Sequence, residues 1–194
     1  MSVLTWMGVP GTPEDWRACG FDVAGGRFAV GGIVFQTGCD PAWAFDEVTG
    51  DAARLGVPTE RRPPQAAARV DHANCVNGVD HVVYAVPDLD EAVHAVEEVL
   101  GLELRRRFHP RGPEGPEMAF YRAVTAVIEV VAGPPRAGLW GIAFSSPDLD
   151  ATVAAVRAAG GPIGDPRPAV QGGRIASIWK EHVGWGVAIM ESHR

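Results

Sequence analysis

The chain has 194 residues, 46% hydrophobic and 21% charged, with a formal net charge of −7, the composition of a soluble globular protein with a core of ordinary size. The acid excess argues against a nucleic-acid partner, which needs a basic face. The longest apolar runs are strand-length, which excludes a membrane span, and the N-terminus lacks the basic segment and apolar core of a secretory signal.

Cys19, Cys39 and Cys75 are far apart and form no CxxC pair, so zinc-finger and thioredoxin readings fail and a reducing, cytoplasmic setting is expected. All but one of the 17 basic residues are Arg, Lys180 being the exception; we attribute this to coding bias.

Residues 1–52 read as a degenerate βαβββ-like, β-rich module. Val3–Val9 is a strand, and Pro13–Cys19 a short helix capped by Thr12 with Pro at its first position. Phe21–Val23, Arg27–Gln36 and Ala42–Val48 are further strands punctuated by glycines. Residues 53–76, with Glu60-Arg61-Arg62-Pro63-Pro64 and a polar run to Asn74, have linker chemistry. In Asp71-His72-Ala73-Asn74 we read a turn, with His72 a minor metal candidate.

From 77 the pattern is sharper. Val79–Val86 is an apolar strand broken only by His81; Pro87 ends it, and Asp88-Leu89-Asp90 opens an amphipathic helix closed by Gly101. Strands at 102–108, 117–124 and 126–132 follow. The strand, the Pro-Asp-Leu-Asp turn and the helix then return at Trp140–Val156, followed by strands at 174–180 and 185–191. Internal repetition of this kind means two copies of one unit, 77–133 and 138–191, together spanning 77–194. Each unit is βαβββ. The fold class is therefore α+β: tandem βαβββ modules forming a curled mixed sheet, or cup, with helices on its outer face. An open sheet edge on the N-terminal module would suit a homodimer.

Pleat alternation places Val83 and Ala85 on the face of His81, and Gly141, Ala143 and Ser145 on that face in the copy, with Trp140, Ile142 and Phe144 beneath the helix. Arg105 and Arg107 fall on one face of their strand and Arg106 on the other with Leu104 and Phe108; the three arginines read as a solvated strand surface rather than an anion site. One of Tyr121 and Arg122 should point into the cup. Trp179 and Trp185 occupy the matching region of the copy, where one Trp would suit a planar organic ligand. Gln171-Gly172-Gly173-Arg174 is a polar loop at the rim whose amides and guanidinium could hold an anion.

Asp80-His81-Val82-Val83, Val86-Pro87-Asp88-Leu89-Asp90, Val99-Leu100-Gly101-Leu102-Glu103 and Ile128-Glu129-Val130-Val131 carry a resemblance to the vicinal oxygen chelate superfamily of glyoxalases, bleomycin-resistance proteins and extradiol dioxygenases, and the layout resembles actinobacterial glyoxalase-like proteins. The resemblance implies ligands on the first and last strand of each module, which here are His81 and Glu129. In the copy the corresponding positions are Gly141 and either Ala188 or Ile189, which cannot ligate a metal. Glu191, His182, His193 or a second subunit are the remaining sources of a third ligand.

Two readings follow from the resemblance. The first is a small-molecule enzyme of lyase, isomerase or dioxygenase type, with His81 and Glu129 catalytic and holding a divalent ion (Zn, Fe, Mn, Ni or Co) through a reduced ligand set. Tyr121, Arg122, Gln171, Arg174 and Trp179 would contact its substrate. The alternative is a metal-free protein that binds or sequesters a small organic molecule. Without metal, His81 and Glu129 would bond to each other, or Glu129 would act as a base.

Overall fold

The structure, a computed structural model, describes residues 2–65, 70–170 and 172–192. Its first elements are β1 (Leu4–Val9), α1 (Pro13–Ala18), β2 (Arg27–Val30), β3 (Ile33–Thr37), β4 (Ala42–Phe45), a 3-10 turn (Ala52–Leu55) and β5 (Thr59–Arg61). Helix α1 starts as its sequence requires: the Thr12 hydroxyl accepts from the Asp15 N–H while the Asp15 carboxylate accepts from the Thr12 N–H, and Pro13 needs no partner for the N–H it lacks. Arg27–Gln36 is a tight hairpin rather than one strand, because Gly31 and Gly32 take φ of +59° and +86° and turn the chain. No strand forms over 21–23.

The second sheet comprises β6 (Gly78–Val86), β7 (Leu104–Phe108), β8 (Met118–Arg122), β9 (Val127–Ala132), β10 (Gly138–Ser146), β11 (Arg167–Pro168), β12 (Arg174–Ile178) and β13 (Gly186–Glu191), with α2 (Leu89–Leu100), α3 (Leu149–Ala158) and the short α4 (Lys180–Val183) between strands. Its order is β11-β12-β13-β10-β6-β9-β8-β7. Strands β6 and β9 are parallel, as are β10 and β13, and the two modules join through the antiparallel pair β6–β10. Asp88 and Asp148 cap α2 and α3 by accepting from the N–H groups of Glu91 and Ala151, at 3.0 and 2.9 Å.

The smaller sheet, ordered β2-β3-β1-β4-β5, has the same connectivity in shortened form: β1 runs parallel to β3 and antiparallel to β4, and β4 runs parallel to β5. It lies against the helix-bearing face of the larger sheet. The Phe35 ring sits 5.5 Å from Phe144 and the Trp43 ring 5.2 Å from Tyr84, within one continuous core. The segment 53–76, expected as a linker, carries the 3-10 turn and β5, and its end is packed. The Asn74 amide donates to Cys19 O, the Thr152 hydroxyl donates to Asn74 O, and the Tyr84 hydroxyl donates to Leu55 O. The opposite, concave face of the larger sheet is therefore left for function.

No helix among the described residues is long and apolar enough to cross a membrane.

Candidate functional site

Strand register builds the concave face in rows. One row reads Ser177, Ala188, Ala143, His81, Val127 and Arg122 from β12 across to β8. The next reads Gly186, Gly141, Val83, Glu129, Phe120 and Arg106 from β13 to β7. His81 and Glu129 thus share one face, on adjacent parallel strands and one pleat apart. Around them Ala85, Met118, Phe120 and Val131 form a small apolar cluster of their own, which lowers the local dielectric.

A bulge refines the site in a way pleat alternation does not foresee. Val79 pairs with Phe144 and His81 with Ala143, so Asp80 is the extra residue on β6. Its carboxylate lies 2.7 Å from His81 Nδ1. A carboxylate only accepts, so Nδ1 carries the proton and Nε2 is the nitrogen left for chemistry. Burial disfavours the charged imidazole, but the Asp80 hydrogen bond and the nearby Glu129 charge outweigh it and raise the His81 pKa. Stability contributed by this group is accordingly present below about pH 6.5, the ordinary histidine value, and is lost as pH rises through the elevated folded-state value.

The register also fixes the partner of Glu129 in the copy. Val83 pairs with Glu129 as Ala143 pairs with Ala188, so the equivalent is Ala188 and not Ile189. The fourth family position, Gly141, is closed by backbone. A Cβ there would lie 2.5 Å from Gly186 O, and one on Gly186 would lie 2.8 Å from Trp140 O. The remaining ligand candidates are engaged elsewhere. Glu191 accepts from Arg174 on the helix side, His182 Nε2 meets Asp15 O, and His72 has both ring nitrogens committed, to Asp22 N and Ala29 O; His193 lies outside the described residues. Among the described residues no group of three His, Cys, Asp or Glu could hold a metal. Two donors facing a glycine and an alanine do not fit a resident ion of the expected ligand set.

The substrate contacts expected from sequence are dispersed. Tyr121 is fully buried beneath α2 in the main core, its hydroxyl without a partner among the described residues; burial there raises its pKa. Tyr121→Phe should therefore leave ligand binding intact and stabilise the fold by about 1 kcal/mol, read by urea denaturation. Arg122, its neighbour, is the residue that faces the cup. Arg174 is clamped between Asp150 and Glu191 on the helix side, and Gln171 lies outside the described residues.

Trp185 is core, donating to Leu139 O, whereas Trp179 is 62% exposed beside the Gly186 end of the cup. Trp140 is not beneath α3 as expected. It is the bulged residue of β10 and stands 51% exposed. A bulge at Arg105 likewise separates Leu104, which packs on the core, from Arg106 and Phe108 on the cup face. A cleft of about 500 Å³ lies away from all of these, lined by Val30, Gly31, Val70, His72, Cys75 and Asn77.

Paired βαβββ modules around a concave face, with polar residues on the first and last strands of one module, define a class. The model of the Glyoxalase/Bleomycin resistance protein/Dioxygenase superfamily matches residues 78–189, more than half the chain, and the protein belongs to that superfamily. Similar solved structures include methylmalonyl-CoA epimerase from Mycobacterium tuberculosis (24% identity over 62% of this chain and 91% of that one, TM-score 0.53). Another methylmalonyl-CoA epimerase has 24% identity over 62% and 98%, TM-score 0.52, and a hypothetical protein from Bacillus halodurans C-125 has 18% over 60% and 94%, TM-score 0.52. At these identities the likeness is one of fold. A search of curated proteins gave no match.

Proposed function

We propose that the protein is a small-molecule enzyme of isomerase or lyase type, in which His81 and Glu129 move a proton at a carbon next to a carbonyl. The observation that carries this reading is the placement of both groups on one partly apolar concave face, with the His81 ring fixed through Nδ1 by Asp80. The Glu129 carboxylate takes the proton, the C–H electron pair moves into the carbonyl, and the resulting enolate oxygen accepts a hydrogen bond from protonated His81 Nε2. Return of the proton to the same or a neighbouring carbon gives the isomer, and loss of a β-leaving group from the enolate gives the lyase product. A dioxygenase reaction asks for an iron held by about three protein donors, which the face does not supply.

The epimerases among the similar structures are named for methylmalonyl-CoA; exchange at a carbon flanked by carbonyls is the same class of chemistry, and supports looking for it here. The test is deuterium exchange from D₂O into a panel of 2-oxo acids, malonate half-thioesters and 1,2-dicarbonyl compounds, followed by proton NMR. Exchange that depends on Glu129 is expected. Exchange indifferent to Glu129 contradicts the proposal.

A second reading has its own support. Gly141, Gly186, Ala143 and Ala188 place no bulky side chain on the second-module side of the concave face, beside exposed Trp179, which suits a flat ligand held without turnover. Tight binding of panel compounds without exchange would place the protein there.

A further inference from the structure

We propose that Arg106 and Arg122 form a carboxylate anchor on the first-module wall of the cup, so that the substrate is a small organic carboxylate whose reacting carbon lies over Glu129. The inference rests on the assignment of the concave face as the reaction site and adds to it the charge and reach of the substrate.

Six arginines of this acidic chain, Arg17, Arg54, Arg62, Arg107, Arg157 and Arg174, each hold a carboxylate. Arg106 and Arg122 hold none among the described residues, although Glu129 is on their face. Their neighbour Arg107, one residue from Arg106, points the other way and binds Asp90 and Glu117. Among the described residues Arg27, Arg61, Arg105, Arg111, Arg136 and Arg167 also lack an ion pair; Arg27 donates to Gln36 and Arg61 to Asp46 O, and Arg111, Arg136 and Arg167 sit in separate loops or at the far edge strand.

Register sets the spacing. Arg106 pairs with Phe120, and Arg122 is two residues along the same strand from Phe120, a diagonal of about 7–8 Å that two long side chains close easily. The Arg106 guanidinium lies over the rings of Phe108 and Phe120, at 5.4 and 5.6 Å, a cation–π seat that orders the side chain and leaves its N–H edges for an acceptor. The bulge at Arg105 brings that residue beside Arg122, where both line a cleft of about 160 Å³ together with Gly101, Leu102 and Glu103. Two cations and one carboxylate thus share that cleft, and Arg106 follows Arg105 on the same edge strand. Glu129 lies one strand from Phe120 and Arg122, about 5–8 Å from each at the backbone. Both arginines are therefore within side-chain reach of a small carboxylate whose carbonyl lies over Glu129.

The probe is malonate, titrated calorimetrically into the intact protein with malonamide and inorganic phosphate as comparisons. Saturable malonate binding is expected, weakened about tenfold or more in each of Arg106→Gln and Arg122→Gln and lost in the double variant, with no binding of malonamide. Both residues are exposed, so the variants should fold, which circular dichroism checks. No malonate binding by the wild type, equal binding of malonamide, or binding unchanged in the double variant overturns the anchor. Phosphate binding at these arginines with malonate excluded overturns the carboxylate assignment. None of these readouts needs turnover, so the anchor can fail while Glu129-dependent exchange stands, and the converse.

Discussion

Gly141→His, the substitution that restores a family ligand type at the position equivalent to His81, should destabilise the protein by about 3 kcal/mol and recruit no metal. The reason is backbone geometry. A Cβ at 141 would meet Gly186 O at 2.5 Å and the Gly186 carbonyl carbon at 3.1 Å, and neither atom can rotate away. Strands β10 and β13 would have to separate at the middle of the sheet, breaking the ladder from Gly141–Gly186 through Ser146–Glu191. Ala188→Glu, at the other vacated position but on the concave side, should cost far less, because position 188 is partly exposed. Urea denaturation of the two variants checks the contrast, and metal analysis after incubation with zinc or nickel checks the ligand set. A Gly141→His protein as stable as the wild type would contradict the close approach.

Glu129→Gln should lower the rate of proton exchange into a productive substrate by about 10²–10⁴-fold while leaving the fold intact. Gln keeps the volume and the hydrogen-bonding reach of Glu but cannot hold the abstracted proton. Because the residue is half-buried on a face with Val83 and Phe120, the substitution removes a charge without opening a cavity, and substrate binding should change little. A loss confined to affinity, with turnover unchanged once saturated, would instead make Glu129 a positioning group.

Much of the molecule was legible from its sequence because the informative signals were local. A β-branched run ended by proline, an Asp cap and a glycine stop specify strand, turn and helix, and their return sixty residues on specifies the pairing. His81 and Glu129 were expected on one face from the family resemblance, and the unshifted register of β6 with β9 from His81 to Val86 places them so. What failed were features that depend on bulges. The extra residue at Asp80 brings a carboxylate onto the imidazole that alternation would send away, the one at Trp140 exposes a tryptophan expected in the core, and the one at Arg105 splits Leu104 from Arg106.

Tyr121 against Arg122 was undecidable from sequence, since both a phenol and a guanidinium suit a cup wall; the register Tyr121–Ile128 and Arg122–Val127 decides it. The smaller sheet was legible only in part, for another reason. Its Gly31-Gly32 turn lies inside a run that reads as continuous strand, and β5 lies in a stretch with linker composition.

The proposed proton transfer depends most on the imidazole of His81 and the carboxylate of Glu129 sensing one another across the concave face. NMR titration of the His81 ring in the wild type and in Glu129→Gln, with the resonance assigned by its absence in His81→Gln, tests this directly. We predict a wild-type pKa above the ordinary histidine value of about 6.5 that falls in Glu129→Gln while the Asp80 hydrogen bond still holds the ring. Identical titration curves in the two proteins would show that the groups do not share a site, and the proposed proton transfer would be wrong.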